Sequence, residues 1–471
     1  MGPTELASWP MADLDTPRPL KDASGKHVLG SLVLDLAKNL GRLGIAYAFL
    51  RGHENLPKIR RGSDVDILLP ASERSLFEEL LTETCEDFGA RVWQKAEAGF
   101  FTQYQLHARS ADGTHHFLSV DLHSSEAVFG VPFLDSKLLM PTTADSRELC
   151  IVQPGPGALA NFMGPFLSGG VVRQDYAESL KEHLAHDSGE VRSLLGTLLG
   201  AGAAARFCAQ LAAGEYEALS GEARGLRFKL IGRRFLRSPL RSTWGLLSFA
   251  YGARIRPLWR PRGLFLAFLG TDGAGKTTVM EALERELAPA FRSAESGTWH
   301  LRPMVIPQLD TLLHLGRSTY SLADMDRPHR AKPSGAFLSN VRVAYYWLDY
   351  IVGFALKITP RRRRPSLILF DRYFYDYKVD PLRCRVRRGT QMVHWLSPWV
   401  PKPDKVVVIS AQLERVRARK QELSVEESAF QIAAYETLGL TEPGFVLVHN
   451  NGTVEEAVND VLDAVFGGEE Q

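Results

Sequence analysis

The sequence predicts an α/β protein in three parts: a doubly wound parallel sheet over residues 262–465, an α+β domain over 28–140, and a helical region with a basic connector over 141–261. Three observations carry this. The chain has 471 residues, more than one hydrophobic core usually serves. Apolar runs in its second half alternate with helical stretches, the pattern of strands paired in parallel through helical crossovers. The first 140 residues differ, with fewer and more polar strand segments.

Composition narrows the classes. With 45% hydrophobic and 23% charged residues, the chain is neither disordered, a coiled-coil rod nor collagen-like. Fifty-six basic against 54 acidic residues leave a net charge of +2, so global charge does not call for nucleic acid. Cys85, Cys150, Cys208 and Cys384 are too scattered for a zinc or redox motif and fit a reducing cytoplasm. The amino terminus shows no secretory signal, and the most apolar stretch, Ala336–Ile358, carries Arg342 and Asp349, which reads as a buried helix.

In chain order, a helix over 31–43 leads into a strand over 46–50, a polar loop, and strands over 64–69 and 117–122. Residues 171–219, rich in Ala, Leu, Glu and Arg, read as helices. From Ala223 to Arg262 there are eleven Lys or Arg and no Asp or Glu, with Phe and Trp interleaved. Pro239, Pro257 and Pro261 rule out one long helix, so this connector reads as short amphipathic helices. It suits a stem packed between domains, an anionic membrane surface or, least well, nucleic acid. Strands are then expected over 263–270, 366–370, 405–410 and 445–449, with helices over 277–287, 336–356, 413–422 and 425–437.

The sharpest motif is Gly270-Thr-Asp-Gly-Ala-Gly-Lys-Thr277, between an apolar strand and a helix start. Gly270, Gly273, Ala274 and Gly275 let the backbone curl so that N–H groups cradle phosphate oxygens, helped by the helix amino terminus. Lys276 is expected on the β- and γ-phosphates of ATP, with the Thr277 hydroxyl on Mg²⁺. The run Leu367-Ile-Leu-Phe370 ends in Asp371, a second metal-holding candidate at the carboxyl end of a strand, where open parallel sheets bind ligands. Arg372 beside it can neutralise a transferring phosphate.

Gly270 through Thr278, together with Asp371-Arg-Tyr373, resembles the thymidylate kinase group of nucleoside-monophosphate kinases over about residues 262–465. The resemblance implies a P-loop kinase fold using ATP and Mg²⁺, with Lys276, Asp371, Arg372 and Asp272 catalytic. It puts Arg415, Arg419 and Lys420 near the lid over ATP, although Arg415 and Arg419, one turn apart, also read as a solvated helix face. Asp272, Arg302, Asp349 and Tyr373 would face the acceptor. Asp349 stands where the family usually carries an arginine, and Phe374–Arg388 is richer in charge than usual. A carboxylate there suits hydroxyl groups better than phosphate. The acceptor is therefore expected to be a hydroxyl-rich sugar or sugar phosphate rather than thymidine monophosphate, a nucleoside monophosphate remaining the simpler alternative.

Asp64 and Asp66, two apart on a strand, place both carboxylates on one face, and Asp121 is a candidate third. Together they resemble the metal-binding triad of polymerase-β-type nucleotidyltransferases over about residues 28–140, although Gly52-His53 replaces the usual Gly-Ser. The expectation is a cytoplasmic ATP-dependent phosphotransferase acting on a small molecule, bifunctional if the amino-terminal triad works. It would be peripheral to the inner face of the membrane if the connector meets lipid. The rivals are an ATP-binding switch and a membrane-associated scaffold with a degenerate amino-terminal domain.

Overall fold

The computed structural model describes residues 27–59, 62–140, 149–186, 188–291, 296–307, 309, 334–420 and 423–467. The amino-terminal sheet contains β1 (Ala48–Arg51), β2 (Asp64–Leu68), β3 (Ala90–Ala98), β4 (Phe101–Arg109) and β5 (His115–His123) in the order β1-β2-β5-β4-β3. Only β2 and β5 pair in parallel, with Asp66 beside Asp121. Strict alternation sorts their side chains. Val65 and Ile67 join Leu118, Val120 and Leu122 in a core beneath the helices Val28–Arg42 and Arg74–Asp87. Asp64, Asp66, Ser119, Asp121 and His123 therefore take the opposite face. The sequence reading missed β3 and β4, because glutamines, lysines and charged residues interrupt their apolar alternation. They form because they pair with each other and with β5 along nearly their whole length.

A short hairpin, β6 (Ser125–Val128) and β7 (Val131–Asp135), leads to a helical layer. Its helices share one core with Ala48, Leu50 and Leu68 of the sheet. The connector forms longer helices than expected: Tyr216–Arg237 runs unbroken because Leu219, Ala223, Leu226 and Leu230 bury one stripe, and Pro239 begins a second helix, Pro239–Ala250.

The carboxyl-terminal sheet is wholly parallel: β8 (Leu264–Leu269), β9 (Gly297–His300), β10 (Leu367–Asp371), β11 (Lys405–Ser410) and β12 (Phe445–His449), in the order β12-β11-β8-β10-β9. Leu264, Leu266 and Phe268 face one helical layer, while Phe265, Ala267 and Leu269 face the other. Burial on both faces explains the continuous apolar runs. Strand order reverses beside β8, leaving a crevice at the carboxyl ends of β8 and β10. The two sheets meet where Phe466 of the last helix packs on Trp93 and Phe117, with Arg109 ion-paired to Asp463 at 2.9 Å. Among the described residues no helix is long and apolar enough to cross a membrane.

Candidate active site

The phosphate loop leaves β8 in a shape only glycine allows at its critical points. Gly275 has φ +94°, and a Cβ there would come within 2.3 Å of the Asn450 amide nitrogen. Asn450 in turn donates to the Ala274 carbonyl at 2.8 Å, bracing the loop from the end of β12. The next helix starts at Lys276, so its free N–H groups point into the crevice. Lys276 Nζ donates to the carbonyls of Gly270 and Thr271 at 2.9 and 3.0 Å. Burial, reinforced by Arg372, lowers its ammonium to about 8.

Asp371 ends β10 at the mouth of the same crevice. One of its carboxylate oxygens is buried with no hydrogen-bond partner among the described residues, while the other lies 3.7 Å from His300 Nδ1. Burial alone would raise its carboxyl, but His300 and Lys276 hold it below the ordinary carboxylate value. A buried carboxylate oxygen without a donor beside a phosphate loop fits a hard cation such as Mg²⁺.

Arg372 is fully buried at φ +72°, a conformation costly for a residue with a Cβ. Asp376 holds it there with 2.8 and 2.9 Å bonds, Tyr435 Oη accepts at 3.2 Å, and its far nitrogen binds Asp272. Arg383, bonded to Asp380 at 3.2 Å, grips the other oxygen of Asp272. Asp272 is consequently held far below the usual carboxylate range: burial opposes this, and Arg372 and Arg383 overcome it. Asp272, Arg372 and Arg383 line a cleft of about 500 Å³ with Thr277, Thr278, Arg419 and Lys420.

Of the residues expected here, Asp272, Gly273, Gly275, Lys276, Thr277, Thr278, Asp371, Arg372 and Arg419 all line this cleft. Gly270 and Ala274 shape the loop beneath it. Arg415 does not line it: its guanidinium bonds to the Asn450 and Gly452 carbonyls at 3.5 and 3.3 Å. Three expected acceptor residues are elsewhere. Asp349 is wholly buried, and its oxygens accept from Arg302 at 3.2 Å and from the backbone N–H groups of Met304, Val305 and Ile306 at 3.1, 2.8 and 2.7 Å. It ties down the loop after β9 and has no exposed surface. Arg302 is buried with it, over the Tyr346 ring at 4.1 Å. Tyr373 is a core residue whose hydroxyl donates to the Pro401 carbonyl at 2.6 Å. The expected aversion to a phosphorylated acceptor, which rested on Asp349, loses its basis.

Sequence reasoning missed Arg383, His300 and Asn450 as cleft residues, and Asp376 as the anchor of Arg372. Asp376 follows Arg372 at the spacing of one helical turn, a legible signal; the others come from distant segments that only the fold brings in.

At the other end of the molecule, Asp66 and Asp121 do come together, lining a cleft of about 780 Å³ with Asp64. Asp66 is already engaged. Arg51 donates to both its oxygens at 3.0 Å, and His123 Nε2 lies 2.9 Å from one of them. Although burial opposes it, His123 and Arg51 hold Asp66 well below the carboxylate range. Burial would lower the His123 imidazole, but Asp66 and Glu126 raise it. Asp121 accepts from Ser119 at 2.6 Å and Gln103 at 3.0 Å, while burial and the Asp66 charge push its carboxyl up. Among the described residues no group of three or more His, Cys, Asp or Glu is arranged to hold a metal ion. The donors around Asp66 and Asp121 do not fit one, because a guanidinium already supplies the positive charge.

Comparison with known proteins gives one relative in sequence: a probable thymidylate kinase of Pyrobaculum aerophilum, 21% identical over 207 residues, or 43% of this chain and 95% of the relative. No protein-family profile matches. Among solved structures, thymidylate kinase from Candida albicans aligns at a TM-score of 0.31 and 17% identity, covering 43% of this chain and 91% of its own. That from Ehrlichia chaffeensis aligns at 0.31 and 13%, covering 44% and 100%. Thymidylate kinase-like similarity thus spans less than half of the chain.

Proposed function

We propose that the carboxyl-terminal part is an ATP- and Mg²⁺-dependent phosphotransferase that acts on a phosphorylated acceptor. One observation carries this: Lys276, Arg372, Arg383, Arg419 and Lys420 converge with Asp371 on one cleft at the helix start of a phosphate loop. Phosphoryl transfer needs little covalent chemistry from a protein, mainly positioning and neutralisation of spreading charge. The loop N–H groups and Lys276 hold the β- and γ-phosphates. Asp371 and Thr277 would hold Mg²⁺, which when bound shields the charge between those phosphates. Arg372, locked by Asp376, presents its charge without reorganising during the reaction. Arg383 is the cation that a phosphate on the acceptor would meet, which favours a nucleoside monophosphate or a sugar phosphate over a neutral sugar. An ADP-release assay across nucleoside monophosphates, sugar phosphates and free sugars tests this. Turnover confined to free sugars would overturn the acceptor class, and no turnover with any acceptor would favour the ATP-binding switch.

A second reading concerns the amino-terminal domain. Arg51 and His123 on Asp66 favour a nucleotidyltransferase-like domain that binds a ligand without metal-dependent transfer. Incubation with labelled nucleoside triphosphates and Mn²⁺ tests it: labelled transfer product that survives Lys276→Ala and vanishes in Asp66→Asn would restore the bifunctional reading.

A further inference from the structure

The helix Pro239–Ala250 lies flat on the amino-terminal domain. Gly245 and Gly252 face inward, and a Cβ on them would come within 1.9 Å of the Gly130 carbonyl and 2.3 Å of the Glu97 carbonyl. That close approach fixes which face points out. Leu240, Trp244, Leu247 and Tyr251, spaced as one helical stripe, are 87, 71, 60 and 53% exposed, and Leu236 at the end of the preceding helix is 87% exposed. An outward stripe of this size is not ordinary surface.

The structure also divides nine of the eleven connector cations into two groups. Arg227, Arg234, Arg241, Arg256 and Arg262 are engaged in packing: Arg241 pairs with Asp135 at 2.7 Å, Arg234 donates to the Phe133 carbonyl, and Arg256 pairs with Glu97. Lys229, Arg237, Arg254 and Arg260 remain exposed and have no ion pair among the described residues. Lys229 stands two turns before Leu236, on the same helix face, and Arg254 follows Tyr251 by one turn.

We propose that the face made by Leu236, Leu240, Trp244, Leu247 and Tyr251 seats the protein on an anionic lipid surface, with Lys229, Arg237, Arg254 and Arg260 meeting headgroup phosphates. Charge complementarity selects this occupant. A second copy would bring two cationic rims together, and a nucleic acid would match the rim but leave the apolar stripe in water. Only an anionic bilayer covers both. The proposal is independent of the acceptor in the kinase cleft.

The test is sedimentation of the full chain with vesicles of phosphatidylcholine alone or mixed with phosphatidylglycerol, at low and high salt. Binding is expected only on the mixed vesicles, with release by salt. The double variant L240S/W244S should bind at least about tenfold more weakly. Each of R237S, R254S and R260S should weaken binding about fivefold. ADP release and melting temperature should stay close to wild type in all of them, since these side chains are exposed and do not line the kinase cleft, and Arg237 gives up one long 3.4 Å bond to the Thr197 carbonyl. Equal binding to neutral vesicles, undiminished binding by L240S/W244S, or a dimer in light scattering that this variant dissociates would each overturn the proposal.

Discussion

The two sheets each carry carboxylates on strands at the mouth of a cleft, and their surroundings make them different chemical objects. Asp371 ends a parallel strand at a strand-order reversal, with one buried oxygen lacking a donor and a set of cations around the cleft. Asp66 sits within its sheet, both oxygens bonded by Arg51 and one also touched by His123. The first is the metal-holding carboxylate of the proposed mechanism; the second is already paired with a guanidinium and an imidazole. A carboxylate at a strand position becomes a ligand only where the fold withholds a partner from it.

The largest effect expected from this contrast is at Lys276. Lys276→Ala should lower ATP turnover about a hundred- to a thousandfold, because a preorganised cation on the transferring phosphate is lost. Its melting temperature should stay close to wild type, since the lysine's hydrogen bonds go to loop carbonyls and its 3.9 Å partner Asp272 keeps Arg372 and Arg383. Wild-type turnover in the folded variant would remove the kinase proposal.

Asp66→Asn should act in the opposite way, on stability and not on turnover. It removes the hydrogen-bonded counter-charge of Arg51 and His123 in a largely buried site and leaves Glu126 as the remaining one, a loss of about 3 kcal/mol in denaturant unfolding. The pH dependence sharpens this. Asp66 is depressed, so its contribution is present above the ordinary carboxylate value and lost as pH falls through its folded value. His123 is raised, so its contribution is present below the ordinary histidine value and lost as pH rises through its folded value. Wild type and variant should therefore differ most between about pH 4 and 6.5, converge as pH falls below that window, and above it keep the part of the difference that Arg51 supplies. A constant difference across pH would break the assignment.

A third expectation concerns the kinase cleft alone. With the Lys276 ammonium at about 8 in the free protein, kcat/KM for ATP should fall about tenfold per pH unit above that value. Bound phosphate favours the charged lysine, so the corresponding limb of kcat should lie at higher pH. Coincident limbs would place the titrating group elsewhere.

The smallest effect belongs to Tyr373→Phe. Removing a hydroxyl that donates to the Pro401 carbonyl should cost about 1 kcal/mol in stability and leave the acceptor KM unchanged. A raised KM would return Tyr373 to the acceptor site.

Legibility in the sequence followed the range of the interactions. The phosphate loop, the helix after it and the strand ending in Asp371 were readable because each depends on neighbours in the chain. Their burial on both faces left unbroken apolar runs. The strands β3 and β4 were not readable, since pairing with each other and with β5 holds them and their own alternation is weak. The connector was legible in its charge but not in its helix lengths.

The sequence by itself determined which residues carry charge, where the backbone must curl around phosphate, and that two chemically different halves exist. Tertiary structure alone decided which charges are free to act. Asp349 and Asp66 read as open carboxylates, yet backbone N–H groups in one case and a guanidinium in the other close them. Arg383 reads only as part of a charge-rich segment, yet it reaches across to Asp272 and enters the cleft. The physical reason is that desolvation and pairing depend on distance in space. A buried charge must find a partner there, and the chain's order does not say which.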